Sequence, residues 1–251
     1  MEITLNVIRE KIRKKMLYVT TALGIIVVAV FSTDMGSLTV GGRSINDYHV
    51  LLPILINVLN FLNGAIALAI SCSTIPLEYE RRTSHLIWSR GISQGRYHMS
   101  LTVGNLVTSW ISGIILYMTL GVFAVIKGYA DILGKIAVAA VFMMLYAAII
   151  CMLTSALSIR IPTLFTGTIM VIILVFGAFR NALNLLTATL TGIGAVVIKR
   201  AIRLIPNLAG ISTQAGNLVQ EKPLNAHVII MALLMIWIAG LLVMIVKREE
   251  A

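Results

Sequence analysis

Apolar residues in this chain gather in long, nearly unbroken runs, and polar residues are confined to the short stretches between them. Runs at about 16–32, 50–74, 101–126, 134–158, 162–179 and 227–246 each approach or exceed the length needed to cross a membrane. A bilayer core about 30 Å thick takes about 20 apolar residues at about 1.5 Å of rise per residue. Only a helix can satisfy a single chain's backbone within such a run, because hydrocarbon offers no hydrogen-bond partners. The pattern predicts an all-α integral membrane fold with six transmembrane helices in a single domain over residues 1–251.

Two stretches follow helical periodicity instead. In residues 1–15, Met1, Leu5, Ile8 and Ile12 share one arc, with Arg9, Arg13, Lys14 and Lys15 beside or opposite it. This reads as an amphipathic helix lying in the headgroup region, or alternatively as a basic extension of the first span. Between 180 and 226, Leu183, Leu186, Leu190, Ile193, Val197, Ala201 and Leu204 recur at alternating steps of three and four, with Lys199, Arg200 and Arg203 opposite. The result is an amphipathic helix ending at Pro206, which serves either as an outer re-entrant or interfacial element or as a seventh span.

Lys and Arg placement favours seven spans slightly, through the excess of cations that inner loops carry. The Thr187, Thr189, Thr191, Gly192 and Gly194 content and the brief Arg180-Asn181 turn outweigh this and favour six. Residues 33–49, with Gly41-Gly42, then form an outer loop, and 127–133, with Gly128 and Asp131, a tight outer turn. Residues 76–100 form the long cytoplasmic loop. Arg160 marks a short inner turn, and Pro162 opens the fifth span, where its missing N–H costs nothing.

Composition agrees. With 59% hydrophobic and 12% charged residues, the chain needs lipid as its solvent and has no room for a separate soluble catalytic domain. A net charge of +10 raises nucleic-acid binding, but the cations flank apolar runs, as membrane orientation requires, so nucleic acid is not expected as a partner. The first run follows a basic stretch and ends Phe31-Ser32-Thr33-Asp34 without a small-x-small site, so it is expected to remain as an anchor. The expected location is the cell membrane, with both termini in the cytoplasm.

Candidate chemistry is sparse. Asn57, Asn60 and Asn63 recur at three-residue steps in the second span, and amides at that depth must face protein or water. They line a conduit or bond to neighbouring helices; both readings are open. Asn105, Thr108, Ser109 and Ser112 cluster in the third span. Met143, Met144 and Met152 read as packing fillers, and Cys72 and Cys151 as small buried hydrophobes. His49, His85, His98 and His227 sit at span ends or in loops, without the partners an intramembrane hydrolase needs, so no catalytic or metal site is expected. No phosphate-binding loop is present, so the chain itself is expected to bind no nucleotide.

The 76–100 loop combines charge with apolar positions at Leu86, Ile87 and Ile92. It is either a solvated loop whose cations set topology or a short amphipathic helix that docks a soluble partner. Its string Glu78-Tyr79-Glu80-Arg81-Arg82-Thr83, with Leu86, Ile92-Ser93 and Arg96-Tyr97, resembles the inner loop of permease subunits of type 2 ATP-binding-cassette exporters. Gly91, Gln94 and Leu101 depart from the residues usual there. The resemblance covers about twenty residues in motif and nearly the whole chain in layout. It implies an N-terminal interfacial helix, six spans and an outer re-entrant element. It also implies a coupling helix with Glu78, Glu80, Arg81, Arg82, Thr83, His85, Leu86 and Arg90 as docking residues. The partners implied are a nucleotide-binding ATPase carrying ATP and Mg, and a second copy or related permease. The family's path runs along the first, second and fifth spans, which would make Asn57, Asn60 and Asn63 lining residues for an amphipathic cargo such as a peptide, antibiotic or lipid-like molecule. An ion-coupled carrier or channel is the rival reading, weakened because the spans lack central Asp, Glu, Lys or Arg.

Overall fold

The computed structural model describes residues 2–13, 15–32, 39–40, 43–44, 48–81, 91–188 and 193–248. Among these, helices dominate: α1 (Glu2–Arg13), α2 (Met16–Ser32), α3 (Tyr48–Ser71), α4 (Thr74–Glu80) and α5 (Gln94–Ile126). A 3-10 turn (Ala130–Ile132) leads into α6 (Leu133–Ser158), followed by α7 (Thr163–Ala178), α8 (Arg180–Ala188), α9 (Ile193–Leu204), α10 (Leu208–Val219) and α11 (Ala226–Ile245). Between α2 and α3, β1 (Thr39–Val40) pairs antiparallel with β2 (Arg43–Ser44), Val40 opposite Arg43.

Four stretches are long and apolar enough to cross a membrane alone: α3 with α4, α5, α6 with its preceding turn, and α11. The number rises to six if the pairs Glu2–Arg13 with Leu17–Phe31, bent by 56°, and Thr163–Ala178 with Arg180–Thr187, bent by 70°, each count as one broken span. Polarity is inverted relative to a water-soluble bundle. Asn60, Asn63, Asn105, Ser109 and Thr154 are wholly buried, while Tyr18, Val122, Leu164, Trp237 and Ile245 stand exposed. Large apolar side chains exposed in such number have lipid as their solvent, and the chain is a helical membrane protein.

The centre is built from α3, α5 and α6, with α2 outside α5, α7 against α3 and α6, and α11 against α5 and α6. Small residues permit this closeness. A Cβ at Gly64 would collide with the Tyr146 ring, and one at Gly113 with Met143 Sδ. At Gly104 it would lie 2.8 Å from Val7 Cβ, so α1 rests directly on the α5 backbone.

Several boundaries differ from the sequence pattern. α5 begins at Gln94, seven residues before the apolar run, because its first turns bury Tyr97 and His98 against protein rather than lipid. The second run breaks at Cys72–Ser73 and restarts as α4. In α1 the face turned to protein carries Val7 and Lys11, whereas Leu5 and Ile12 are each 44% exposed. The apolar arc therefore points away from the bundle.

The turn after α5 explains Gly128. Its φ of +83° suits glycine, and the Gly128 N–H to Val125 carbonyl (3.0 Å) and Tyr129 N–H to Ala124 carbonyl (2.8 Å) bonds close a Schellman cap. The 180–226 stretch, expected to hold one amphipathic helix ending at Pro206, has three helices among its described residues. The third, α10, packs back between α3 and α6: Leu208 meets Gly177 near the end of α7, Ser212 meets Asn60, and Gly216 faces Pro53.

Candidate functional site

One end of the bundle gathers the charged segment after α3 onto a small core of its own. Val7 of α1, Ile75 of α4, Tyr97 and Leu101 of α5 and Ile159 after α6 cluster there, with Ile92 and Val246 packed alongside. Pro76 fits in the first turn of α4, where backbone N–H groups lack helical partners anyway.

Polar contacts then tie α4 down. Tyr97 Oη donates to Glu78 Oε2 at 2.7 Å, and Tyr79 Oη lies 2.6 Å from His98 Nε2. Both pairs are nineteen residues apart, so two successive residues of α4 match two of α5 in register. The Arg248 guanidinium sits 4.7 Å from the Tyr79 ring centroid, and Gln94 Nε2 donates to the Arg248 carbonyl at 3.4 Å, which joins the C-terminal segment to the same point. Arg81 pairs with Glu10 at 3.4 Å, reaching α1. Lys11 Nζ, on the buried face of α1, donates to the Ile70 carbonyl at 3.0 Å. That carbonyl lies in the last turn of α3, where carbonyls have lost their helical donors and the helix dipole favours a cation.

Of the predicted docking residues, Glu78 is half-buried and held by Tyr97, while Glu80 and Arg81 are exposed. Arg82, Thr83, His85, Leu86 and Arg90 lie outside the described residues. The bracing by Tyr97, His98, Lys11 and Arg248 was not read from the sequence. A paired Glu-Tyr and Tyr-His at equal spacing is the signal that was available.

The three asparagines of α3 separate in the fold. Asn60 is wholly buried: its Nδ2 donates to Ser212 Oγ at 3.0 Å and its Oδ1 accepts from Tyr117 Oη at 2.9 Å. Asn63 Nδ2 donates to Met143 Sδ at 2.8 Å, leaving Oδ1 without a partner among the described residues. Asn57 is exposed and donates to the Pro53 carbonyl at 2.7 Å. It borders a largely apolar cavity of about 310 Å³, shared with Val58, Phe61, Tyr146, Phe179 and Ser212. Asn60 and Asn63 thus join α3 to α10, α5 and α6, and Asn57 faces open space. Tyr117 and Ser212, which bond Asn60, were not singled out in the sequence, nor was Tyr146, whose buried Oη has no partner among the described residues.

Cys72 and Cys151 are free thiols, and Cys151 Sγ lies 3.0 Å from Ser71 Oγ. Among the described residues no three His, Cys, Asp or Glu side chains converge as metal ligands would. Compared with protein-family models, with curated proteins and with solved structures, the chain matches none. Contacts at the charged end link α4 and Arg81 to α1, to α5 and to the segment that follows α11.

Proposed function

We propose that the chain is the permease subunit of a type 2 ATP-binding-cassette exporter. Two copies, or one copy and a related permease, would each dock an ATPase subunit that binds ATP and Mg, in the cell membrane with both termini cytoplasmic. The observation that carries this reading is the bracing of α4. A short helix breaks from a span, exposes Glu80 and Arg81, and is linked by short polar contacts to three other elements at the same end of the bundle. A solvated loop whose cations merely set topology needs no such linkage.

In this reading α1 is the interfacial helix, and α8, α9 and α10 form the outer re-entrant element. At 16 residues, α7 is about 24 Å long, short of the hydrocarbon thickness. The chain then turns by 70°, and α10 runs back along α3. The cavity beside Asn57, apolar with a few polar groups, suits an amphipathic cargo. ATP-driven closure of the partner pair would displace α4 and bias the spans between two packings.

Co-purification tests the reading. The full chain, tagged and solubilised in mild detergent, is expected to retain an ATPase of the cassette type stoichiometrically. Combined charge reversal at Glu80, Arg81, Arg82 and Arg90 is expected to release it without altering the elution of the permease. Glu78→Gln is the separate structural control, since Glu78 accepts from Tyr97. An ATPase retained after the fourfold reversal would remove α4 and its loop as the docking site, and transport in vesicles containing this chain alone would remove the whole reading.

A further inference from the structure

We propose that the cavity between the α7–α8 bend, the end of α9 and the start of α11 binds a phosphate-class oxyanion, carried on a lipid headgroup or free in solution. Arg180 opens α8 at the bend, Arg203 lies in the last turn of α9, Asn207 caps α10, and His227 stands in the first turn of α11. All four side chains line one cavity of about 110 Å³, room for a group of several atoms rather than a single water, over an apolar floor that includes Ile149 and Ile211.

The electrostatics call for an anion. Arg180 Nη1 donates to the Ile205 carbonyl at 2.8 Å, which fixes the guanidinium while leaving other donors of the fork available. Arg203 is close enough to repel it. Neither arginine has a carboxylate partner among the described residues, and the sequence has no Asp or Glu between Asp131 and Glu221. Two cations held together at the edge of a low-dielectric bundle, with no counter-charge among the described residues, raise each other's energy.

A third source of positive potential adds to them. Asn207, the N-cap of the twelve-residue α10, lines the cavity and brings the positive end of that helix dipole near it, while the Gly210 N–H is taken by Asn207 Oδ1 at 3.0 Å and the Leu208 N–H by the Pro206 carbonyl at 2.9 Å. Two planar forks supply the donors, a pairing that suits the oxygens of a phosphate. Lys199 and Arg200, on the same helix as Arg203, are exposed and do not line the cavity, so they serve as an internal control.

The site requires no ATPase partner, so its test stands apart from the docking reading. The probes are phosphatidylglycerol, a phosphate-free glycosyl diacylglycerol and inorganic phosphate. Each is added to the delipidated full-length protein, with bound lipid read by native mass spectrometry and unfolding temperature followed at matched ionic strength. The protein is expected to prefer phosphatidylglycerol to the glycolipid by about tenfold. R180Q/R203Q is expected to abolish the preference, and K199Q/R200Q to keep it. Phosphatidylglycerol retained against excess inorganic phosphate identifies the lipid as the source. Displacement by inorganic phosphate, with a rise in unfolding temperature, identifies the free anion. If the double variant does not elute as the wild type does, Arg203→Gln alone, which removes an exposed side chain, is expected to weaken the preference several-fold. Equal binding of both lipids with no response to inorganic phosphate, a preference surviving in R180Q/R203Q, or equal loss in K199Q/R200Q would overturn the proposal.

Discussion

Replacing Asn60 with leucine removes the polar pin that holds α10 against α3 and α5. The branched outline is kept, so the effect is mainly the loss of hydrogen bonding, with an overpacking cost from the larger methyl groups added to it. The variant loses the bonds to Ser212 Oγ and from Tyr117 Oη, both in a wholly buried setting. Interhelical bonds inside membrane proteins contribute about 0.6 kcal/mol each on average, and up to about 1.7. The two stranded hydroxyls add a desolvation cost, reduced because Ser212 can turn to a carbonyl of its own helix. The sum is about 1–3 kcal/mol of destabilisation. Asn57→Leu, one turn away and bonded only to the local Pro53 carbonyl, should stay within about 0.5 kcal/mol. Unfolding by SDS titration, followed through tryptophan fluorescence, measures both. Trp110 reports on the right region, since its Nε1 donates to the Met144 carbonyl of α6. A double-mutant cycle with Ser212→Ala should return a coupling of about 0.6 kcal/mol. If Asn60→Leu costs no more than Asn57→Leu and the coupling is zero, Asn60 faces an open path, and the reasoning fails.

Other variants probe the charged end and the far turn. Lys11→Met keeps the apolar stem but loses the bond to the Ile70 carbonyl, so α1 should dock more weakly by about 1–2 kcal/mol, seen as faster hydrogen exchange over residues 2–13. Gly104→Leu would drive a side chain into Val7 and the Thr4 carbonyl and should displace α1 at a cost of about 1–3 kcal/mol; unchanged proteolysis of that helix would refute the packing. Lys135, through its hydrogen bond and then its charge, holds the Glu221 carboxyl below the usual range. The folded pKa is thus depressed. The bridge contributes fully above the unfolded carboxyl range and is lost as pH falls through the folded value. Protection of the amides at residues 220–225, taken relative to their intrinsic exchange rate at each pH, should therefore fall on acidification, and Glu221→Gln should remove that dependence. Because the pair is exposed, added salt should also weaken it.

The sequence by itself determined where most of the long helices lie, because the hydrophobic thickness of a bilayer is a length that any apolar run either meets or misses. The runs at 134–158 and 227–246 reappear as Leu133–Ser158 and Ala226–Ile245, displaced by a residue at most. It also marked α1 and the 193–204 stretch as amphipathic, since periodicity is a local property. Tertiary structure alone decided which face of each helix meets protein. Lipid and a protein interior are both apolar, so hydrophobicity cannot tell them apart, and only the docking of α1 on Gly104 shows Val7 inside and Leu5 outside. For the same reason Asn57, Asn60 and Asn63, one arc in sequence, became one exposed amide and two interior ones. α10, too polar to read as a span, found its place through Ser212 and Asn60, a pair 152 residues apart that no local pattern connects.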